Sequence, residues 1–209
     1  MSNEKNEEQE TKLPEADRLQ MGTALSVGIR LILATAVLCS VLYPSVITGV
    51  GNLLWKNNSR GSLIDRNGEY RGSKLIGQSF NSDKYFHPRP SSTGYDATNS
   101  GSANLAPTND RLIDRSRGLV NDLKAEGLKP ENIPASFVTE SGSALDPHIV
   151  PESAYLQIPR VSEATGIQEK KLAEMVEDLT RGKLFGLYGL RRVNVLLLNL
   201  KVDNNLESR

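Results

Sequence analysis

The segment from Leu31 to Trp55 constrains the fold of this chain most strongly, because it contains no charged residue. At a rise of ~1.5 Å per residue, a helix of this length crosses the ~30 Å hydrocarbon core of a bilayer. Arg30 precedes the segment and Trp55-Lys56 ends it, and these residue types favour the headgroup region. We therefore predict one transmembrane helix over residues 28–55.

A cleaved signal peptide is the alternative interpretation of this apolar segment. Its apolar region would cover about 7–15 residues and end at a small-x-small triplet. Ala34-Thr35-Ala36 is such a triplet, but the apolar run continues far beyond it, which favours an uncleaved anchor. Tyr43-Pro44 in the middle predicts a kink and packing against neighbouring helices. Cys39 is interpreted as a small apolar residue facing the bilayer interior.

Residues 1–27 precede the anchor and begin with a cluster of glutamates, which predicts a disordered acidic tail. The whole chain carries 25 basic and 25 acidic residues, so its net charge gives no indication of nucleic-acid binding. Basic residues lie on both sides of the apolar run. Their distribution does not decide which side of the membrane holds the larger part of the chain.

Residues 56–209 have the composition of a soluble domain, and their patterns predict an α+β fold with a small sheet and about three helices. Asn67-Gly68 separates two short apolar segments, which predicts a β-hairpin with a type I′ turn between Leu63 and Ile76. The apolar run Val193–Val202 has β-branched ends and predicts a strand that is buried on both faces.

Helical spacing of apolar residues, together with start and stop signals, predicts the three helices. They are Asp110–Glu126 with Asn109 as its N-cap, a helix from Pro151 to Gly166 that Pro159 interrupts, and Gln168–Thr180.

Two segments, Tyr85–Asn109 and Thr139–Arg160, contain most of the polar side chains suited to recognition. Their arginine, histidine, asparagine, serine and tyrosine groups bind phosphate or carboxylate, and such groups also dock on other proteins. A network that satisfies itself within the loops is the structural alternative. The richness of residues 91–109 in Ser, Thr, Asn and Gly predicts a flexible loop.

The glycine spacing from Gly72 to Gly77 is that of a phosphate-binding loop, but Gln78 stands where that motif requires lysine. The pattern also overlaps the second strand of the predicted hairpin, whereas a phosphate-binding loop opens a helix. We therefore interpret it as the edge of a strand.

A membrane-tethered hydrolase is a second hypothesis for the function. Ser141 lies in a Ser-Gly-Ser triplet that resembles a nucleophile elbow, although neither a strand before it nor a helix after it is predicted. His87 with Asp83 and His148 with Asp146 are further candidates for acid–base or metal chemistry. Neither pair has the helical spacing of a metal site, so we predict no metal.

Many short motifs in the chain resemble, in the same order, the C subunit of the Kdp-type potassium-transporting ATPase. They extend over nearly the whole chain after residue 25. The pieces include Tyr43-Pro44, Thr48-Gly49, Gly61-Ser62-Leu63, Leu75-Ile76-Gly77-Gln78, Tyr85-Phe86, Arg89-Pro90-Ser91, Tyr95-Asp96-Ala97, Ser100-Gly101-Ser102, Asn104-Leu105, Pro107-Thr108-Asn109, Ile133-Pro134-Ala135, Leu145-Asp146-Pro147-His148-Ile149, Pro159-Arg160-Val161, Val193-Asn194-Val195 and Leu198-Asn199-Leu200.

The resemblance implies a non-catalytic accessory subunit of an ATP-driven, high-affinity potassium pump in the bacterial inner membrane. Its implied partners are a pore-forming subunit, a P-type ATPase subunit, a small single-helix subunit and membrane lipid. The chain lacks the Asp-Lys-Thr-Gly phosphorylation motif, so it is not itself the ATPase. The resemblance also implies that the tail is cytoplasmic and that residues 56–209 lie outside the cytoplasm.

The family's C subunit stabilises the assembly and acts as a catalytic chaperone that raises the ATP affinity of the ATPase subunit. By resemblance, Gln157 is the nucleotide-contacting candidate, and ATP reaches the chain through the complex without a tightly bound cofactor. We expect partner docking by a set of loop residues: Tyr85, Phe86, Arg89, Tyr95, Asp96, Asn104, Asn109, Asp146, His148 and Arg160.

Overall fold

The computed structural model describes residues 15–66, 68–125 and 127–208. Its first part is helical from Glu15 to Leu54, as helix α1 (Glu15–Ala36), a π-helical segment (Val37–Leu42) and helix α2 (Tyr43–Leu54). Within Met21–Leu54, the most apolar stretch of 18 residues has a mean hydropathy of 2.2, and none of that stretch is buried. Among the described residues, this is the one helix long and apolar enough to cross a membrane, which confirms the predicted membrane helix. Residues 1–14 of the predicted tail lie outside the described residues, and residues 15–27 are helical.

The π-helical segment comes directly before Pro44, where the sequence predicts a kink. Proline has no N–H to donate, and its ring collides with the carbonyl group four residues earlier. The N–H of Tyr43 bonds to the carbonyl oxygen of Leu38, five residues back. This wider turn is the local response to the proline, and such turns are frequent at functional positions.

The chain divides into two compact units, with the boundary after Arg60. The second unit begins with strands β1 (Leu63–Arg66) and β2 (Glu69–Ser73), which pair antiparallel. The predicted hairpin is thus confirmed, although its second strand ends at Ser73 and not at Ile76. Gly68 has a φ of 82°, as a type I′ turn requires; Asn67 lies outside the described residues.

The rest of this unit combines helices with a second small sheet, so the predicted α+β class is confirmed. Helix α3 (Lys56–Ser59) lies before the boundary and belongs to the first unit. After β2, the elements of the second unit are α4 (Asp110–Ala125), a 3-10 turn (Pro130–Asn132), α5 (Ala135–Val138), β3 (His148–Ile149), α6 (Pro151–Thr165), α7 (Glu169–Leu179), β4 (Thr180–Arg181), β5 (Arg192–Asn194) and α8 (Val195–Glu207). The sheet has the order β3-β5-β4, and both pairs are antiparallel.

The prediction of a buried strand over Val193–Val202 is wrong. Only Arg192–Asn194 is a strand, and helix α8 follows at once. Asn194 starts the helix, because its side-chain oxygen accepts the backbone N–H of Leu197 at 3.1 Å. The buried positions Val195, Leu198 and Val202 have helical spacing, but a run that is apolar throughout hides this period in the sequence.

The predicted interruption of a helix at Pro159 is also wrong. Helix α6 continues through Pro159 to Thr165, and Gly166 caps it in the left-handed conformation with φ 67°. Pro159 lies on the exposed face, where water can satisfy the carbonyl group that loses its partner. Helices α6, α7 and α8 enclose the core, and the largest completely buried side chain in it is Phe86.

Candidate functional site

The segment around Phe86 lies in the core and is held through its backbone by two side-chain amides. The carboxamide oxygen of Asn199 accepts the N–H of Phe86 at 2.8 Å, and its nitrogen donates to the carbonyl oxygen of Phe86 at 2.9 Å. Gln157 does the same for His87: its oxygen accepts the N–H at 2.7 Å and its nitrogen donates to the carbonyl at 3.1 Å. We call these two amides the amide clamp.

The clamp holds the backbone groups of two successive residues by side chains from two different helices. Gln157 comes from α6 and Asn199 from α8, so each helix satisfies the backbone N–H and carbonyl group of one of the two residues. Buried backbone groups need such partners, and in a sheet they would find them in neighbouring strands. The two helices therefore fix the position of the polar loop that begins at Tyr85.

The amide of Gln157 is saturated. Its nitrogen also donates to the carbonyl oxygen of Ser153 at 3.1 Å, and its oxygen also accepts from Arg160 Nη2 at 2.8 Å. An amide has two donor hydrogens and two acceptor lone pairs, and all four are used here. Gln157 is buried, so a nucleotide contact would require it to exchange at least one of these bonds.

His87 lies between the clamp and the guanidinium group of Arg160. Its Nε2 is 3.3 Å from the carbonyl oxygen of Ser82 and 3.4 Å from Arg160 Nη1. Burial and then the positive charge of Arg160 lower the pKa of His87 below its usual value of 6.5, against the opposing effects of Ser82 and Asp83. The ring is therefore neutral at physiological pH.

A second polar cluster connects Arg89 with Asp146 and His148. Arg89 Nη1 lies 3.4 Å from Asp146 Oδ2, and its Nη2 donates to the carbonyl oxygen of Glu140 at 3.0 Å. His148 contacts Asp146 through Nδ1 at 3.4 Å and donates its backbone N–H at 3.0 Å. Burial acts to raise the pKa of Asp146, but the His148 bonds and the Arg89 charge outweigh it, so the pKa is lowered.

The loop of residues 91–109 follows a defined path, although its composition predicts flexibility. The hydroxyl of Tyr95 donates to the carbonyl oxygen of Arg89 at 2.7 Å, and burial raises its pKa to about 12. The N–H of Gly101 donates to the carbonyl oxygen of Ser143 at 3.0 Å. Asp96 accepts from both the backbone and the hydroxyl of Thr98. The loop thus presents a preorganised polar surface.

The predicted docking residues divide into exposed and structural members. Asp96 and Asn104 are exposed, while Phe86 is completely buried. Asn109 caps α4, as predicted, through its side-chain oxygen and the N–H of Arg111 at 2.9 Å. Tyr85 donates its hydroxyl to Asp203 at 2.9 Å. Partner docking by this set stays a prediction.

Asn199 is the important residue that the sequence interpretation missed. It lies inside an apolar run between two leucines, and a polar side chain at such a position is itself a signal, because buried amides need hydrogen-bond partners. The interpretation of that run as a strand concealed the helical face that Asn199 shares with Val195 and Val202.

The side chains considered for hydrolysis do not form a catalytic arrangement. Ser141 is buried, and its hydroxyl lies 3.4 Å from that of Ser143. No described hydrogen bond links Ser141 to His87 or His148. The described residues also contain no group of three or more His, Cys, Asp or Glu side chains placed to hold a metal ion.

The glycine pattern from Gly72 to Gly77 is part of a strand and the turn that follows it, as predicted. Gln78 donates its side-chain amide to the carbonyl oxygen of Arg71 at 3.2 Å. Gly77 packs so closely that a Cβ atom there would lie 2.7 Å from the carbonyl oxygen of Asp146. Both contacts fix the chain next to the Asp146 cluster and do not form a phosphate cradle.

Comparisons with known proteins agree with the resemblance of the motifs. Residues 25–204 match the family model described as KdpC, the c chain of the K⁺-transporting ATPase. The chain is 43% identical over 190 residues to the potassium-transporting ATPase KdpC subunit of Rhodopseudomonas palustris (strain BisB18), covering 84% of this chain and 95% of that protein. It is 42% identical to the corresponding subunits of Koribacter versatilis (strain Ellin345), with 86% and 93% covered, and of Bacillus cytotoxicus (strain NVH 391-98), with 86% and 94% covered. The chain therefore belongs to the KdpC family of K⁺-transporting ATPase c chains.

Proposed function

We propose that this chain is a membrane-anchored accessory subunit of an ATP-driven potassium pump and contributes no catalytic residue to it. The observation that carries this proposal, together with family membership, is the helix Met21–Leu54, whose most apolar stretch of 18 residues is not buried. An apolar helix of this kind needs lipid and other transmembrane helices around it. Pro44 and the π-helical segment before it are features that neighbouring helices accommodate.

The partners that we propose are the pore-forming subunit, the P-type ATPase subunit and a small single-helix subunit of the same pump. The preorganised loop of residues 91–109 supports this, because a surface that is already ordered loses little conformational entropy when it docks. Its exposed polar groups, such as Asp96 and Asn104, suit the polar surface of a subunit interface.

We further propose that the tail is cytoplasmic and that residues 56–209 lie outside the cytoplasm. This orientation is supported by the resemblance to the family and not by the charges that flank the anchor. Protease treatment of intact spheroplasts and of inverted vesicles tests it. Cleavage of residues 56–209 in spheroplasts alone is expected, and cleavage of these residues in inverted vesicles alone would overturn the orientation.

The chaperone role, raising the ATP affinity of the ATPase subunit, then operates through contacts with partners. ATP is cytoplasmic, and the amide of Gln157 already makes four hydrogen bonds within the fold. We propose that Gln157 acts as a positioning residue: it holds His87 and the following loop in the shape that the partners recognise. Direct contact with ATP is the alternative that the experiment must separate.

The ATP dependence of the assembled pump tests this role. Pump purified with the wild-type chain is expected to reach half-maximal ATPase activity at lower ATP concentration than pump lacking the chain. Isothermal titration of the full chain alone in detergent should release no heat with ATP. An unchanged ATP dependence without the chain would overturn the chaperone role, and saturable heat with the isolated chain would establish direct binding.

A further inference from the structure

A small hairpin on the second unit exposes a group of large apolar side chains. Residues 182–191 connect β4 to β5, and two backbone hydrogen bonds between Leu184 and Tyr188, at 2.8 and 3.0 Å, close the hairpin. Its five large apolar side chains are all more than half exposed, and that of Phe185 is 85% exposed. They are Leu184, Phe185, Leu187, Tyr188 and Leu190. We call this segment the apolar hairpin.

Exposed apolar side chains in such a group mark a site of interaction, because soluble surfaces rarely keep them together. Phe185, Gly186 and Gly189 have positive φ angles of 52°, 74° and 84°, which turn the chain tightly and hold the side chains outward. The hydrogen bonds and turns give the hairpin a fixed shape, so its apolar tip is a defined feature of the fold.

Cations surround the base of the apolar hairpin. Arg181 and Lys183 precede the tip, and Arg191 and Arg192 follow it, while the sequence has no acidic residue between Asp178 and Asp203. Arg191 pairs with Glu177 of α7 at 3.2 Å, and Lys201 pairs with Asp178 at 2.6 Å. Among the described residues, Arg181, Lys183 and Arg192 have no ion-pair partner.

A pocket of about 250 Å³ lies at the base of the hairpin and adds to this positive character. Its lining includes Leu190, Arg191 and Arg192 from the end of the hairpin, and Arg89 and His148 from the cluster described above. Its one acidic lining residue, Asp146, is already engaged by Arg89 and His148. The Nε atom of Arg89 is buried and has no hydrogen-bond partner among the described residues.

We propose that the apolar hairpin inserts into the anionic surface of the membrane that holds the anchor, and that Lys183, Arg192 and the adjacent pocket bind lipid phosphate groups. An apolar tip with aromatic rings, flanked by cations, has the chemistry of the interface between headgroups and acyl chains. Each Lys or Arg near an anionic surface favours binding by about five-fold. A neutral protein surface would not attract these cations electrostatically, whereas an anionic membrane surface does.

The short connection between the membrane helix and the second unit favours contact of the hairpin with the membrane. Residues 55–60 are all that separate the end of the membrane helix at Leu54 from the start of the second unit at Gly61. A short covalent connection raises the effective concentration of the hairpin at the membrane surface. The inference depends on the anchor in the proposed function and on no other part of it.

Tryptophan fluorescence of the full chain in proteoliposomes tests the proposal. Trp55 is the single tryptophan of the chain, so a Trp55→Phe, Phe185→Trp variant reports on the tip alone. In vesicles of phosphatidylcholine with phosphatidylglycerol, we expect a blue-shifted emission and quenching by doxyl-labelled lipid. Adding Lys183→Gln and Arg192→Gln should lower the ratio of inserted to exposed hairpin by about five-fold for each charge removed.

A matched control carries the tryptophan at Thr108, which is exposed in the polar loop, and should be quenched by aqueous iodide and not by labelled lipid. Iodide quenching of Phe185→Trp to the same degree would overturn the proposal. Equal quenching of Phe185→Trp by labelled lipid in vesicles of phosphatidylcholine alone would also overturn it. Protection of this tryptophan from iodide that appears only in the assembled pump, whatever the lipid, would overturn it too and would assign the hairpin to a subunit contact. None of these results would alter co-purification with the pump, so the test is independent of the proposed function.

Discussion

Asn199 and Phe86 are joined by two hydrogen bonds, in which one side-chain amide satisfies both the N–H and the carbonyl group of a completely buried residue. The two residues are 113 positions apart in the chain. Their contact holds the start of the polar loop that begins at Tyr85 against helix α8, and Gln157 repeats the arrangement from α6 on His87.

Replacement of Asn199 by Leu should lower the free energy of unfolding by about 2–5 kcal/mol, because two buried backbone groups lose their partners. Urea unfolding of the full chain in detergent, followed by circular dichroism, measures the change. Asn204→Ala is the matched control: Asn204 is exposed on the same helix, and its replacement should change the value by less than about 0.5 kcal/mol. Equal stability of the two variants would contradict the clamp.

Gln157→Leu and Asn199→Leu together separate a positioning role from direct contact with ATP. If Gln157 acts by holding the loop, both variants should raise the ATP concentration for half-maximal activity of the assembled pump to a similar degree, since they loosen neighbouring peptide units. The measurement is steady-state ATPase activity of purified complexes with equal subunit content. An effect confined to Gln157→Leu would instead favour direct nucleotide contact.

The fold could be predicted from the sequence where a local signal is strong. The uncharged run near Leu31, the Gly68 turn and the Asn109 cap all have local physical causes, and each has its expected structure. Helix α8 could not be predicted in this way, because a continuous apolar run has neither a helical nor a strand period. Its start depends on the side chain of Asn194, which bonds to Leu197 on one side and to the carbonyl oxygen of Lys74 on the other.

The site was less predictable than the fold. Gln157 is predicted by resemblance as a nucleotide contact and Arg160 as a docking residue, but their partners come from the segment around His87, about 70 positions away. No pattern within either segment reveals that pairing. Phe86 shows the same limit: an aromatic residue among polar neighbours suggests docking, whereas the structure places it in the core.

Replacement of Asn194 by Ala should destabilise the chain by about 1 kcal/mol for the lost helix cap, and further for the partly buried bond to Lys74. Asn194→Ser keeps a neutral cap acceptor and loses the bond to Lys74, so it should retain more stability than Asn194→Ala. Thermal unfolding of both variants in detergent measures the order. Ser and Ala variants of equal stability would show that the cap contributes nothing.

Acidification should destabilise the fold through His87. Its pKa is lower in the folded chain than the usual 6.5, so the unfolded chain binds the proton more readily. The contribution of the neutral His87 ring to the free energy of unfolding is therefore complete above about pH 6.5, and it is lost as the pH falls below this value. Between pH 7.5 and 5.5, His87→Gln should lose less stability than the wild type in thermal unfolding. An identical pH dependence would rule out this role.

Two glycines should respond to alanine in opposite ways. Gly77→Ala places a methyl group 2.7 Å from the carbonyl oxygen of Asp146, so the backbone must move and stability should fall by about 1–3 kcal/mol. Gly118 lies inside α4 with open space around it, and alanine there should add about 0.5–1 kcal/mol. Urea unfolding of both variants measures the contrast, and a stable Gly77→Ala would contradict the close packing.

Co-purification from potassium-starved cells tests the proposed function most directly. A full-length chain with an affinity tag, extracted in mild detergent, should bring with it the pore-forming and P-type ATPase subunits in constant proportion, together with ATPase activity. A control tag on an unrelated single-helix membrane protein should bring neither. Recovery of this chain alone, from membranes that demonstrably contain the other subunits, would contradict its role as a subunit of the pump.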